Sequence, residues 1–313
     1  MNSKGRWVAL ALTLWLLAAL PVRAGIYYVT VAGLGGEPDY EQDFTQLATD
    51  LDKLLKTVGP DAHVYTLTDA TRANLTQALT RVAAEAKPDD DFVLILIGHG
   101  TFDGFQYKFN LVGPDITAQD LARLCDQIRS KRQLIVNTTE ASGGSVIVLQ
   151  RSGRAVISAT KDGNEKNATV FARYFVQALH DPQADLDKNN VISALEAFEY
   201  AQRHTADFYD SQKRLATEHA VFEDTGDHDP TRTPETDTGE GLFLSNFTLI
   251  RLGAAQQAYN NPAKRALLAQ KEQLERQIDT LKYRKAAMSQ DDYKQQLTQA
   301  LLELAKVQEQ LEK

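Results

Sequence analysis

The sequence predicts an α/β protein in which a mostly parallel β-sheet lies between two layers of helices, followed by a C-terminal α-helical hairpin. Three observations carry that prediction. Short apolar runs of strand length alternate with segments of helical periodicity from Ile26 to Leu179. Two of the runs, Phe92–Ile97 and Leu134–Val136, are continuous and rich in β-branched residues, as strands covered on both faces are. From Asn260 onward the pattern changes to long stretches with an apolar residue every three or four positions.

The chain opens with Lys4 and Arg6, an apolar run from Trp7 to Leu20, and Pro21-Val22-Arg23-Ala24. This is the form of a secretory signal peptide, residues 1–24, cut after Ala24, and it predicts a periplasmic or secreted protein. The run falls short of the roughly 18–20 residues of a membrane span, so no stable membrane insertion is expected after cleavage. Loss of Lys4, Arg6 and Arg23 with no acid moves the net charge from −8 to −11. So acidic an exported chain is suited to cations and not to nucleic acid or anionic membranes. Cys125 is the only cysteine, which excludes an intramolecular disulfide. It shares a helix face with Leu121, Leu124 and Ile128 and reads as a buried, inert thiol.

The mature chain begins with a strand at Ile26–Val31 and a helix from Tyr40 to Val58 that buries Phe44, Leu47, Leu51, Leu54 and Leu55. A strand at His63–Leu67 precedes a helix at Ala73–Ala86, with Thr71 and Asn74 placed to cap it. The Phe92–Ile97 strand ends in Gly98-His99-Gly100, a polar loop follows, and Thr117 opens the Cys125 helix. The Leu134–Val136 strand ends in Asn137-Thr138-Thr139-Glu140-Ala141-Ser142-Gly143. A strand at Arg154–Ala159 and a helix at Ala168–Leu179 complete the alternation. In open α/β sheets, chemistry gathers at the carboxyl ends of strands. The glycine-framed His99 and the hydroxyl-rich turn after the next strand are therefore a candidate site.

A strand ending in His-Gly, then a helix, then a strand ending in a small-residue turn with Ser-Gly resembles the caspase–hemoglobinase fold of cysteine peptidases. That family (clan CD) includes the caspases and the legumains. Glu140-Ala141 and Ser142-Gly143 make the legumain-like branch the more similar. The resemblance spans roughly residues 26–253 and implies a His–Cys dyad, with His99 as the histidine. No cysteine follows the second strand. One overlay puts Thr139 at the nucleophile position, and the other puts Ser142 there. A thiolate forms readily near neutral pH, whereas a hydroxyl needs a well-aligned base and usually an orienting third group. Glu140 is the residue that could orient His99. The favoured expectation is thus a pseudopeptidase, an inactive homologue acting as a binding or scaffold module. The alternative is an active hydrolase using Thr139 or Ser142 with His99 as base.

A second candidate site follows the Ala168–Leu179 helix. With Asp185 as position one of a twelve-residue loop, Asp187 falls at three, Asn189 at five, the Val191 carbonyl at seven, Ser193 at nine and Glu196 at twelve. Alternating oxygen donors, apolar Ile192 at eight and a terminal carboxylate make an EF-hand-type calcium loop, residues 185–196. Position six is Asn190 where glycine is usual, and asparagine is the next best residue for the positive φ required. A structural Ca2+ is expected.

The outgoing helix is expected to run to about Glu218. Residues 223–241 then form an acidic stretch with no large apolar residue, expected to be a mobile loop over the groove. Its Asp224, Asp227, His228 and Asp229 are weaker candidates for a second cation. Gly241–Leu252 reads as a last strand returning to the sheet. This closes an α/β domain over residues 25–258. Residues 259–313 read as two helices, Pro262–Met288 and Gln290–Glu312, in a hairpin or coiled coil. The expected partners are a protein or peptide held by the groove and the C-terminal helices, or a second copy pairing through the coiled coil.

Overall fold

A computed structural model describes residues 24–313. The expected signal peptide lies outside the described residues except for Ala24. The first half comprises β1 (Ile26–Ala32), α1 (Pro38–Leu55), β2 (Ala62–Leu67), α2 (Arg72–Glu85), β3 (Asp91–Ile97), β4 (Gly100–Phe102), β5 (Tyr107–Phe109) and β6 (Ile116–Thr117). It continues with α3 (Ala118–Asp126), β7 (Arg132–Asn137), α4 (Gly143–Leu149), β8 (Arg154–Ser158) and α5 (Phe171–Ala178). The second half comprises β9 (Val191–Ser193), α6 (Ala194–Ser211), β10 (Val221–Glu223), α7 (Leu242–Ser245), β11 (Thr248–Arg251) and α8 (Gly253–Asn260). Two long helices close the chain, α9 (Arg265–Tyr283) and α10 (Gln290–Glu312).

The main sheet has six strands in the order β10-β8-β7-β3-β1-β2. All neighbours pair in parallel except the edge strand β10, which runs antiparallel to β8. Alternate side chains of the strands enter two separate cores. Tyr28, Val93, Ile95, Leu134 and Ile157 pack under α1, α5 and α6, with Phe171, Phe175 and Phe198. Val29, Val31, Phe92, Leu94, Ile135 and Val156 pack under α2, α3 and α4, with Leu79, Leu121 and Val146. Both faces of β3 and β7 are therefore buried, the reason for their unbroken apolar sequence. Thr71 caps α2 in a reciprocal box with Asn74, and Thr117 caps α3.

Three expectations are corrected. The stretch after His99 is not only a polar loop. It folds into a three-stranded antiparallel sheet, β4-β5-β6, which buries Tyr107, Phe109 and Ile116 beneath the strand ends. Gly241–Leu252 is not one strand of the main sheet. It splits into α7 and β11, and β11 pairs antiparallel with β9 of the Asp185 loop. Helix α6 stops at Ser211, short of Glu218, as the chain turns to φ +53° at Lys213, and the Glu218 carboxylate lies beyond it. That carboxylate accepts from the Val170 and Phe171 amides at the start of α5.

The acidic 223–241 segment also has an anchor that composition does not reveal. The half-buried Asp224 carboxylate accepts from the amides of Gly241, Phe243 and Leu244 at 3.0–3.1 Å, closing the segment onto the first turn of α7. Burial outweighs those hydrogen bonds and pushes the Asp224 carboxyl up to about 6. Helices α9 and α10 pack antiparallel. Leu268, Leu274, Ile278 and Leu281 are buried along α9, as are Ala300 and Val307 along α10. No helix among the described residues is long and apolar enough to cross a membrane.

Candidate functional sites

His99 stands at the carboxyl end of β3, in a turn that only glycines allow. Gly98 has φ +154°, and a Cβ there would press on the Gly33 backbone and the Phe109 ring at 3.1 Å. A Cβ on Gly100 would meet the Thr139 and Tyr107 hydroxyls at 2.4 and 2.6 Å. The imidazole Nδ1 lies 2.8 Å from Glu140 Oε1. Tyr40 and Phe44 of α1 set their rings edge-on to it. The Glu140 hydrogen bond raises the His99 pKa above the ordinary histidine value, more than burial lowers it.

Thr139 and Ser142 come to the same end of the sheet, but neither hydroxyl is hydrogen-bonded to His99. The buried Thr139 hydroxyl is 2.7 Å from the Tyr107 hydroxyl, 3.1 Å from Asn137 Oδ1 and 3.0 Å from the Glu140 carbonyl. Ser142 is fully buried. Its Oγ lies 2.8 Å from Ser158 Oγ and 3.2 Å from both Thr160 Oγ1 and the Thr160 amide. These contacts tie the turn after β7 to β5 and to the end of β8. Cys125 cannot substitute, since it is buried in α3 and burial pushes its thiol up to about 11.

Two groups at this end escaped sequence reasoning. Tyr107 reaches Asn137 and Thr139 from β5, and only the alternation of Tyr107, Phe109 and Leu111 hinted that it points inward. Glu165 accepts from the His219 amide and pairs with His219 Nδ1, while its own carbonyl accepts from Ala141. No spacing in the sequence relates these residues.

The Asp185 loop brings three of its acidic side chains together. Carboxylate oxygens of Asp185, Asp187 and Glu196 can lie within 4.8 Å of one another, the single such cluster among the described residues. Asp224, Asp227, His228 and Asp229 are not gathered in this way. Asn190 makes the turn at φ +68°. Asp185 accepts from the Asn189 and Asn190 amides, and Glu196 Oε1 accepts from the Leu186 amide at 2.8 Å. Ser193 caps α6, its hydroxyl donating to Glu196 Oε2 at 2.8 Å, so position nine would serve an ion through water. Burial is the main cause that raises both the Asp187 and the Glu196 pKa; the Asp185 charge raises Asp187 further, and the Asp187 charge raises Glu196. Hard oxygen donors of net negative charge fit Ca2+.

The chain matches no family model and no curated protein. Similar solved structures include a protein from Geobacter sulfurreducens, 13% identical with a TM-score of 0.43, covering 68% of this chain and 95% of that one. They also include caspase-1 from Spodoptera frugiperda, 14% identical with a TM-score of 0.42, covering 64% of this chain and 87% of that one. A third is the Drosophila initiator caspase Dronc, 12% identical with a TM-score of 0.42, covering 66% and 82%.

Proposed function

We propose that this chain is a caspase-like, legumain-related pseudopeptidase, exported and stabilised by calcium, that serves as a binding or scaffold module. The observation that carries the reading is the state of the two hydroxyls. Thr139 and Ser142 are buried, bonded to Tyr107, Asn137, Ser158 and Thr160, and make no hydrogen bond to His99. A general base must reach the proton it removes, directly or through one water. The hydrogen bond that His99 does make is to Glu140.

One observation favours the alternative. Glu140 orients His99 as the third member of a hydrolytic triad would, which a hydroxyl nucleophile needs. Cleavage of a mixed peptide library by the chain from Gly25 to Lys313, with calcium present, separates the readings. His99→Ala, Thr139→Ala and Ser142→Ala are run alongside. No cleavage by any of the four folded proteins is expected. Cleavage lost in His99→Ala and in one hydroxyl variant would overturn the pseudopeptidase reading.

In the proposed calcium site, Asp185, Asp187, Asn189 and Glu196 would supply side-chain oxygens and Val191 its carbonyl, with Ser193 acting through water. The ion would neutralise carboxylates that burial leaves costly and would fix the loop between the segment leaving α5 and the start of α6.

A further inference from the structure

The loop has two faces, and the tail of the chain occupies the outer one. Lys271 projects from α9 and is only 8% exposed. Its ammonium donates to the Asn189 carbonyl at 3.0 Å and to Glu275 Oε1 at 2.6 Å. The next carbonyl, that of Asn190, accepts from the Leu252 amide at 2.8 Å, where β11 gives way to α8. One position earlier, Arg251 is held by both oxygens of Glu272, at 2.6 and 3.0 Å, on the same helix as Lys271. Both carbonyls around the strained Asn190 turn are thus held by groups C-terminal to the loop. The inner face of the same turn presents the carboxylate oxygens.

A buried ammonium persists only where its acceptors are in place. The Asn189 carbonyl meets Lys271 because Asn190 holds a positive φ, which is also the turn that a cation on the inner face requires. Charge acts in the same direction. Helix α9 brings Glu275 and Asp279 within electrostatic reach of Asp187, where their pairs with Lys271 and Lys282 offset only part of the repulsion. A divalent cation on the inner face offsets that repulsion.

We propose that cation occupancy of loop 185–196 and docking of the α9–α10 hairpin are coupled through Lys271 and Asn189, making the tail a calcium-linked strap on the α/β body. The proposal rests on the reading of the loop as a calcium site. Coupling between two sites is reciprocal, so calcium tightens the strap and the docked strap tightens calcium binding.

The test uses the chain from Gly25 to Lys313. Calcium affinity is measured by titration calorimetry, and hydrogen exchange across residues 265–312 is followed in calcium and in chelator. Calcium is expected to slow exchange along α9 by about tenfold, and Lys271→Met to weaken calcium binding by about tenfold. Lys306→Met, on the exposed face of α10, should leave both at the parent values. A calorimetric trace with no calcium binding by the parent chain would overturn the calcium reading and the coupling together. Normal calcium binding with exchange of α9 unchanged by calcium would overturn the coupling alone, as would parent-like affinity in Lys271→Met. If Lys271→Met does not fold, the calcium dependence of exchange in the unaltered chain decides the matter.

Discussion

The strand-end turn around Thr139 and Ser142 and the loop around Asp185 are both polar, both sharply turned and both buried in part, yet their electrostatics are opposite. In the first, each hydroxyl finds neutral partners: Tyr107 and Asn137 for Thr139, Ser158 and Thr160 for Ser142. A buried polar group satisfied in this way is part of the frame and has little capacity left for chemistry. In the second, three carboxylates share one small volume, and their oxygens accept hydrogen bonds only from neutral amides and the Ser193 hydroxyl. Like charges held together by a rigid loop leave a deficit that a cation removes. Satisfied neutral groups point to structure, and an unneutralised cluster points to a ligand.

Glu196→Gln should break that contrast most strongly. Glutamine can keep the capping box with Ser193 while removing one charge and the bidentate carboxylate. At calcium near one hundred times its dissociation constant, the parent chain should gain about 2.7 kcal/mol, a melting shift of roughly 5–10 °C. The variant should show almost none. Equal melting temperatures for the parent chain in calcium and in chelator would dismiss the ion.

Ser142→Ala comes next in size. It removes the Ser142 hydroxyl's contacts with Ser158 and Thr160 from a fully buried site, although both keep other partners, and should cost about 1–3 kcal/mol in urea unfolding. Thr139→Val should behave similarly by leaving the buried Tyr107 hydroxyl with Asn137 alone. If either variant unfolds like the parent, that hydroxyl is not the structural tie described here, and its place as a candidate nucleophile is strengthened.

The pH profile sharpens the same distinction at Asp224. Its carboxyl is raised to about 6 in the folded state from an ordinary value of 3.8, so the folded chain binds the proton more tightly. Stability should therefore rise as pH falls from 7 through 6 toward 4, by up to about 3 kcal/mol from this group. Asp224→Asn should flatten that slope in denaturation measured at successive pH values. A slope unchanged in the variant would place its origin elsewhere.

The smallest effect belongs to His99. Its folded pKa is raised by Glu140, so its contribution is present below the ordinary value and fades as pH rises through the folded one. Glu140→Gln should lower the His99 titration midpoint by NMR and reduce acid-side stability by no more than about 1 kcal/mol. A midpoint that stays put would mean that Glu140 does not hold the imidazole.

Much of this was open to reading from residues alone. Strands β1, β3, β7 and β8 are legible because burial on both faces demands continuous apolar runs. The caps at Thr71 and Thr117 are legible because their hydrogen bonds span three residues. The cluster of Asp185, Asp187 and Glu196 is legible because these residues lie within twelve consecutive positions, and the positive φ at Asn190 falls within the same stretch. His99 was legible through its glycines.

What only the tertiary structure decided are relations between residues distant in the chain. Tyr107 meets Thr139 across 32 positions, and Glu165 meets His219 across 54. Lys271 meets Asn189 across 82, and β11 pairs with β9 instead of the main sheet. Periodicity reports which face of an element is buried, and short-range spacing reports which donors share a turn. Neither reports which partner arrives from elsewhere, because that depends on how the layers pack. The chain's own order of residues determined an α/β sandwich, a framed histidine without a cysteine and a loop of oxygen donors. Packing determined that the hydroxyls near that histidine are tied into the frame and that a lysine from the tail closes over the loop.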